Sequence, residues 1–209
     1  MSDVILSIQG LAFSFPQRHV LLGLNARIGP GLTWLRGPNG SGKSTLLSLL
    51  AGALVPLAGQ IRVDGRCPQA DHLAYRQRVF WCGPGALAFD HLTATEYLAF
   101  MAGLYPTLDV AQARAHFMGL GLAPHLGTRL AALSTGTQRK VWLATSLAVG
   151  TRLVLVDEPL NALDAASLAY FQQALRQACQ RGGQAWLVSS HEAPCGEGFD
   201  AASLVLGGD

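Results

Sequence analysis

Apolar residues along this chain fall into short runs separated by glycine, proline and polar clusters, and the spacing within the runs changes along its length. VILSIQGLAFSF (4–15) and VLLGLNARI (20–28) read as two extended segments joined by a Pro-Gln-Arg turn, an antiparallel pair. LTWLRG (32–37) is a short apolar strand that runs straight into GPNGSGKST, after which a helix begins. QIRVDG (60–65) and VFWC (79–82) predict two further strands. From Leu92 to about Val149 the pattern turns helical, and Thr93-Ala94-Thr95-Glu96 has the form of a capping box. LVLV (153–156) is a fully apolar strand ending in two acids; a helix from about Asp164 to Cys179, the strand QAWLVSS, His191 and finally ASLVL follow. Strands alternating with helices in the second half predict an α/β fold, its mostly parallel sheet covered on both faces. The N-terminal strands form an antiparallel β subdomain beside it, and residues 92–149, approximately, a small α-helical subdomain.

One run imitates a membrane span. Eighteen residues from Ser44 to Ile61 carry no charge, the minimum length for crossing a bilayer. Ser44, Thr45, Ser48 and Gln60 are polar, however, and Gly52, Pro56 and Gly59 break the second half as a helix. A short buried helix ending near Ala51 is the better reading.

Composition narrows the picture. Residues 1–209 are expected to form one domain. The formal net charge of +2, with no Lys/Arg run, argues against nucleic acid as a partner. Charged residues make up only 13 % of the chain, against a typical quarter, which leaves room for an apolar face that meets a partner. Cys67, Cys82, Cys179 and Cys195 are scattered, so neither zinc nor a disulfide framework is indicated and a reducing cytoplasm fits. The N-terminus MSDVILSIQG lacks the basic and apolar regions of a secretory signal.

The chemistry begins at Gly37-Pro38-Asn39-Gly40-Ser41-Gly42-Lys43-Ser44-Thr45, which satisfies G-x-x-x-x-G-K-[ST]. Glycines let the backbone wrap closely enough for its N–H groups to point at phosphate oxygens, and a helix N-terminus adds partial positive charge. Lys43 suits the β- and γ-phosphates, and the Ser44 hydroxyl suits Mg²⁺. The bland alternative is a glycine-rich turn, but a strand before and a helix after favour the phosphate loop. Asp157 and Glu158 follow a buried strand, at the edge where α/β sheets bind ligands. Asp157 is placed to hold Mg²⁺ through its water shell, and Glu158, one residue further out, to polarise an attacking water as general base. Alone, two such acids more often cap the next element; beside a phosphate loop the balance reverses. His191, at another strand end, gains a reach to the γ-phosphate or the attacking water only from this company.

Together these residues resemble one family over nearly the whole chain, the nucleotide-binding subunits of ATP-binding cassette (ABC) transporters. The motifs occur in order: GPNGSGKST (Walker A), LSTGTQRK at 133–140 (the start of the signature helix), LVLVDEP (Walker B), NALD at 161–164 (the D-loop) and SSH at 189–191 (the switch histidine). The resemblance implies a P-loop NTPase fold of ABC type, with ATP and Mg²⁺ bound and ATP hydrolysed. It implies two subunits packed head to tail, most simply a homodimer, with Ser134 and Gly136 of one contacting the γ-phosphate held by the other. Asp164 is carried over as a D-loop contact, and Phe15 falls where the family stacks an aromatic on adenine; a strand aromatic facing the core is the alternative. It also implies an integral membrane permease subunit as partner and a cytoplasmic position at the inner face of the membrane. The brevity of the chain and its LTATEYL segment more weakly resemble the ATP-binding subunits of haem exporters for cytochrome c maturation. Soluble ABC ATPases acting on ribosomes, DNA or Fe–S assembly are the second class considered, and P-loop kinases or GTPases the third.

Two departures matter. Thr135 and Thr137 replace a glycine and a glutamine of the family's usual signature. Where the family has a glutamine that touches both Mg²⁺ and the transmembrane partner, this chain has Gly83-Pro84, with no glutamine from Arg78 to Ala111. A water must then fill the metal position, and the apolar loop from Gly85 to Phe89 becomes the expected docking surface.

Overall fold

The computed structural model describes residues 4–83, 89–196 and 198–207. Strands β1 (Leu6–Phe15) and β2 (Arg18–Ile28) pair antiparallel across the expected turn, Leu6 opposite Ile28 and Phe15 opposite Arg18. The chain continues through β3 (Gly31–Arg36), α1 (Lys43–Leu50), β4 (Ala58–Val63), α2 (His72–Arg76) and β5 (Val79–Cys82). A helical stretch follows: α3 (Ala94–Leu104), α4 (Val110–Gly119) and α5 (Thr135–Ala148), with two single 3₁₀ turns before α5. The last elements are β6 (Leu153–Asp157), α6 (Ala165–Arg181), β7 (Ala185–Ser189) and β8 (Ala202–Val205).

Two sheets result. One has three antiparallel strands in the order β2-β1-β4, so the QIRVDG strand joins the N-terminal sheet. The other has five strands in the order β5-β6-β7-β3-β8, every neighbouring pair parallel. The short helix α2 has no counterpart in the sequence reading. Its only local signals are the Asp71 cap, which accepts from the Ala74 N–H at 3.0 Å, and Tyr75, which is fully buried and donates to the Leu50 carbonyl at 2.7 Å.

The parallel sheet is apolar on both faces because both are covered. In β6, Val154 and Val156 enter a core shared with α3, α4, α5 and α6, whereas Leu153 and Leu155 enter a second core with α1 and the antiparallel sheet. Trp186 and Val188 of β7 join the first core and Ala185 and Leu187 the second. The eight residues of α1 bury Leu46, Leu47, Leu49 and Leu50 and stop at Gly52 (φ 71°), as the breakers in the uncharged run predict. Among the described residues, no helix is long and apolar enough to cross a membrane.

The capping box of α3 forms as read. The Glu96 N–H donates to Thr93 Oγ1 at 3.2 Å and the Thr93 N–H to Glu96 Oε2 at 2.8 Å, which holds the Glu96 carboxyl below its usual range. Residues 84–88, most of the expected docking loop and the proline of Gly83-Pro84, lie outside the described residues. Phe89, at the end of that loop, packs its ring 5.5 Å from Tyr97 and 5.2 Å from Phe100.

Candidate active site

Parallel pairing brings β3, β6 and β7 side by side, and the loops at their C-terminal ends converge. The β3–α1 loop supplies Gly37 to Gly42, the β6–α6 loop supplies Glu158 to Asp164, and His191 follows β7. Between them lies a cavity of about 470 Å³, walled by Phe15, Asn39, Gly40, Gly42, Lys43, Ser44, Thr45, Asp157, Glu158 and His191. These residues come from positions 15 to 191, so only the fold unites them.

The phosphate loop is shaped by its glycines. Gly42 caps α1 in a left-handed conformation (φ 98°), where a Cβ would stand 2.6 Å from Val20 Cγ1. Lys43 is 8 % exposed and turns back over its own loop, donating to the Gly37 carbonyl at 2.8 Å and the Pro38 carbonyl at 3.3 Å. Its ammonium is thereby held at the mouth of the α1 N-terminus, where the helix dipole favours an anion. Gly37, Pro38 and Ser41 belong to the loop but do not wall the cavity. The Ser41 hydroxyl is buried with no hydrogen-bond partner.

Asp157 and Glu158 part company at the end of β6. Asp157 is 5 % exposed and accepts a hydrogen bond from the Ser189 hydroxyl of β7. Glu158 sits in the left-handed region (φ 47°), an uncommon place for a residue with a Cβ. Its N–H donates to the Ser189 carbonyl at 3.0 Å and to Ser189 Oγ at 3.1 Å, and its carboxylate reaches within 3.6 Å of His191 Nε2. Ser189 therefore organises both acids from the neighbouring strand.

Phe15 is 48 % exposed and meets Phe13 edge to face at 5.1 Å, so its ring is a cavity wall rather than a core side chain. Ser134, Gly136 and Asp164 do not wall the cavity. Ser134 caps α5, its Oγ accepting from the Thr137 N–H at 3.2 Å and lying 2.9 Å from the Thr137 hydroxyl, so the departure at 137 engages the serine directly. Asp164 caps α6 through the Ser167 N–H at 2.8 Å and takes the Lys140 ammonium at 2.6 Å. Lys140, then Ser167, hold its carboxyl far below the usual range.

Sequence reasoning missed Arg18 and Val20 on the cavity wall, and Asn161, read only as part of NALD, lies there too. Arg18 donates to the Gly40 carbonyl and so braces the phosphate loop from the antiparallel sheet. No motif marks an arginine after a turn. At Gly83, where the glutamine is missing, a Cβ would stand 2.5 Å from the Trp81 indole, so restoring a side chain there requires the ring to move.

Residues 21–161 match the family model described as ABC transporter. The cytochrome c biogenesis ATP-binding export protein CcmA of Cupriavidus pinatubonensis is 36 % identical, over 98 % of this chain and 89 % of its own. The protein of the same name from Pseudomonas putida is 34 % identical, over 89 % of each chain. Among solved structures, an ATP-binding subunit of an ABC transporter superposes with a TM-score of 0.86 at 22 % identity, covering 97 % of this chain and 85 % of the other. A bacterial Atm1-family ABC exporter with ATP bound superposes with a TM-score of 0.81 at 20 % identity, over 99 % of this chain and 37 % of that one. The two structures speak for the fold; the family model and the relatives go further, and the chain belongs to the ABC transporter family as an ATP-binding domain.

Proposed function

We propose that this chain is the ATPase subunit of an exporter, powering a separate integral membrane subunit from the cytoplasmic face, and that the export serves cytochrome c maturation, with haem as the transported group. The observation that carries this reading is the relationship to proteins named cytochrome c biogenesis ATP-binding export protein, at 31–37 % identity over most of the chain. The soluble ABC ATPase alternative has no comparable support.

Residue roles follow from the geometry. Phe15 offers its exposed ring to adenine. The backbone N–H groups from Asn39 to Thr45, with Lys43, bind the phosphates; for that, Lys43 exchanges a loop carbonyl for phosphate oxygen. Asp157 and Ser44 offer a buried carboxylate and a hydroxyl, the hard oxygen donors Mg²⁺ takes when phosphates complete its shell. Their fit to that ion rests on this donor set, since the described residues contain no cluster of three or more His, Cys, Asp or Glu that could hold a metal by itself. When bound, Mg²⁺ neutralises charge that develops on the phosphoryl oxygens. Glu158 takes a proton from the attacking water, and His191, beside it, orients that water or the γ-phosphate. Ser134 and Gly136, exposed or half-exposed at the α5 N-terminus and away from their own cavity, serve the nucleotide of a second copy.

The test is affinity purification of the full-length chain from detergent-solubilised membranes. Recovery with an integral membrane protein, and ATP hydrolysis faster in that complex than in the chain alone, is expected. Recovery with ribosomes, or from the soluble fraction alone, would overturn the reading.

A further inference from the structure

The start of α5 touches the β6–α6 loop at three points. Arg139 Nη1 donates to the Glu158 carbonyl, and Lys140 Nζ donates to Asp164 Oδ2 at 2.6 Å. Gly136 lies so close to the Ala162 carbonyl that a Cβ would stand 2.7 Å from it. The loop they touch is unusual in its own right. Among the described residues three non-glycine positions have positive φ, and two of them, Glu158 (47°) and Ala162 (64°), are in this loop. Such conformations persist where the surroundings over-determine them. The Glu158 N–H is bound to Ser189 on one side and its carbonyl to Arg139 on the other, so both peptide groups that define its φ and ψ are pinned.

We infer that Arg139 is a positioning residue for Glu158: by holding the Glu158 carbonyl it maintains the left-handed turn that aims the carboxylate into the cavity beside His191. The inference rests on the reading of Glu158 as general base. Arg139 stands three residues after Gly136 and five after Ser134, within the first turn and a half of α5. The helix start assigned to the other subunit's nucleotide is thus joined, through one hydrogen bond, to the backbone of its own subunit's general base.

Arginine suits this place. Its guanidinium keeps its charge at every physiological pH and spreads its donors over a planar fork, so one end can bind a carbonyl while the other faces neighbouring groups. The same guanidinium lies near Cys82, at the end of β5, where it opposes the burial that pushes the thiol up to about 12. It is not on the cavity wall, so it touches no part of the space assigned to nucleotide. Its removal should therefore disturb turnover and leave ATP affinity alone. A displacement of about 1 Å in a reacting group is enough to cost on the order of 10²-fold in rate.

The experiment compares full-length wild type, Arg139→Ala, Arg139→Gln, Arg139→Lys and Glu158→Gln, measuring ATP affinity by fluorescent-nucleotide titration and turnover by phosphate release. Arg139→Ala and Arg139→Gln should lose about 10-fold or more in kcat with ATP affinity within about twofold, and Arg139→Lys should recover part of the loss. Turnover within about twofold of wild type in Arg139→Ala, or equal loss of turnover and affinity, overturns the inference. If the alanine variant does not fold, lysine against glutamine decides: equal turnover in the two sinks the idea. A Glu158→Gln protein that hydrolyses ATP normally removes the general-base reading itself, and this inference with it; an inactive Glu158→Gln beside a fully active Arg139→Ala removes the inference alone.

Discussion

Glu158 and His191 face each other across 3.6 Å from the ends of adjacent parallel strands, with Ser189 binding the backbone of the one and lying two residues before the other. The distance is fixed by the register of β6 and β7, in which Asp157 lies opposite Ser189. If Glu158 is the base, Glu158→Gln keeps its size and place but cannot accept the proton. Turnover should fall by about 10²-fold or more with ATP binding intact. Phosphate-release kinetics check the first, and an ATP-trapped dimer in size-exclusion chromatography is the companion signature.

Lys43→Ala removes a buried ammonium that already holds two loop carbonyls. The loop loses its internal brace and, if it binds phosphate, the phosphates lose their main cationic partner. Nucleotide titration should show ATP binding abolished, while unchanged affinity would falsify the phosphate-loop assignment.

Ser134→Arg separates one subunit's roles. The position is exposed and absent from its own cavity wall, so the variant should bind ATP almost normally. If Ser134 serves a second copy's nucleotide, the variant should fail to dimerise and to hydrolyse, because an arginine at that helix start blocks that nucleotide. Loss of ATP binding by the monomer would instead place the signature in its own site.

Asp164 offers a pH test. Lys140 and Ser167 hold its carboxyl below the ordinary value of 3.8, so the folded protein gains stability that is complete above that value and lost as pH falls below it. Asn in its place still accepts from the Ser167 N–H but forfeits the charge facing Lys140. Urea midpoints of wild type and Asp164→Asn should therefore differ at neutral pH and converge below about pH 4. A gap that stays constant into acid would show that the ion pair contributes nothing.

The sequence made some of this legible and hid the rest for physical reasons. Lys43, Asp157 and Glu158 are legible because each sits in a contiguous segment whose local pattern, strand then turn or strand then acids, fixes where it must point. The Thr93–Glu96 box is local in the same way. Arg18, by contrast, reaches the phosphate loop across 22 residues, and Arg139 reaches Glu158 across 19. Pairings of that range are products of packing and leave no periodic trace. The sheet to which QIRVDG belongs was equally hidden, since an apolar run does not state which neighbour it pairs with. The positive φ of Glu158 was out of reach too, for nothing in DEP announces it.

Because Val154 and Val156 face one core while Leu153 and Leu155 face the other, β6 is a shared beam between two independently packed interiors, with both acids at its tip. A Leu155→Ala cavity, worth about 2–5 kcal/mol in a site that cannot collapse, opens on the phosphate-loop side. A Val154 truncation opens on the side of the signature helix. Truncations at these two adjacent residues open on opposite faces of the sheet and thus share one target, the position of two carboxylates. If those carboxylates serve hydrolysis, a change in either interior alters turnover as well as stability.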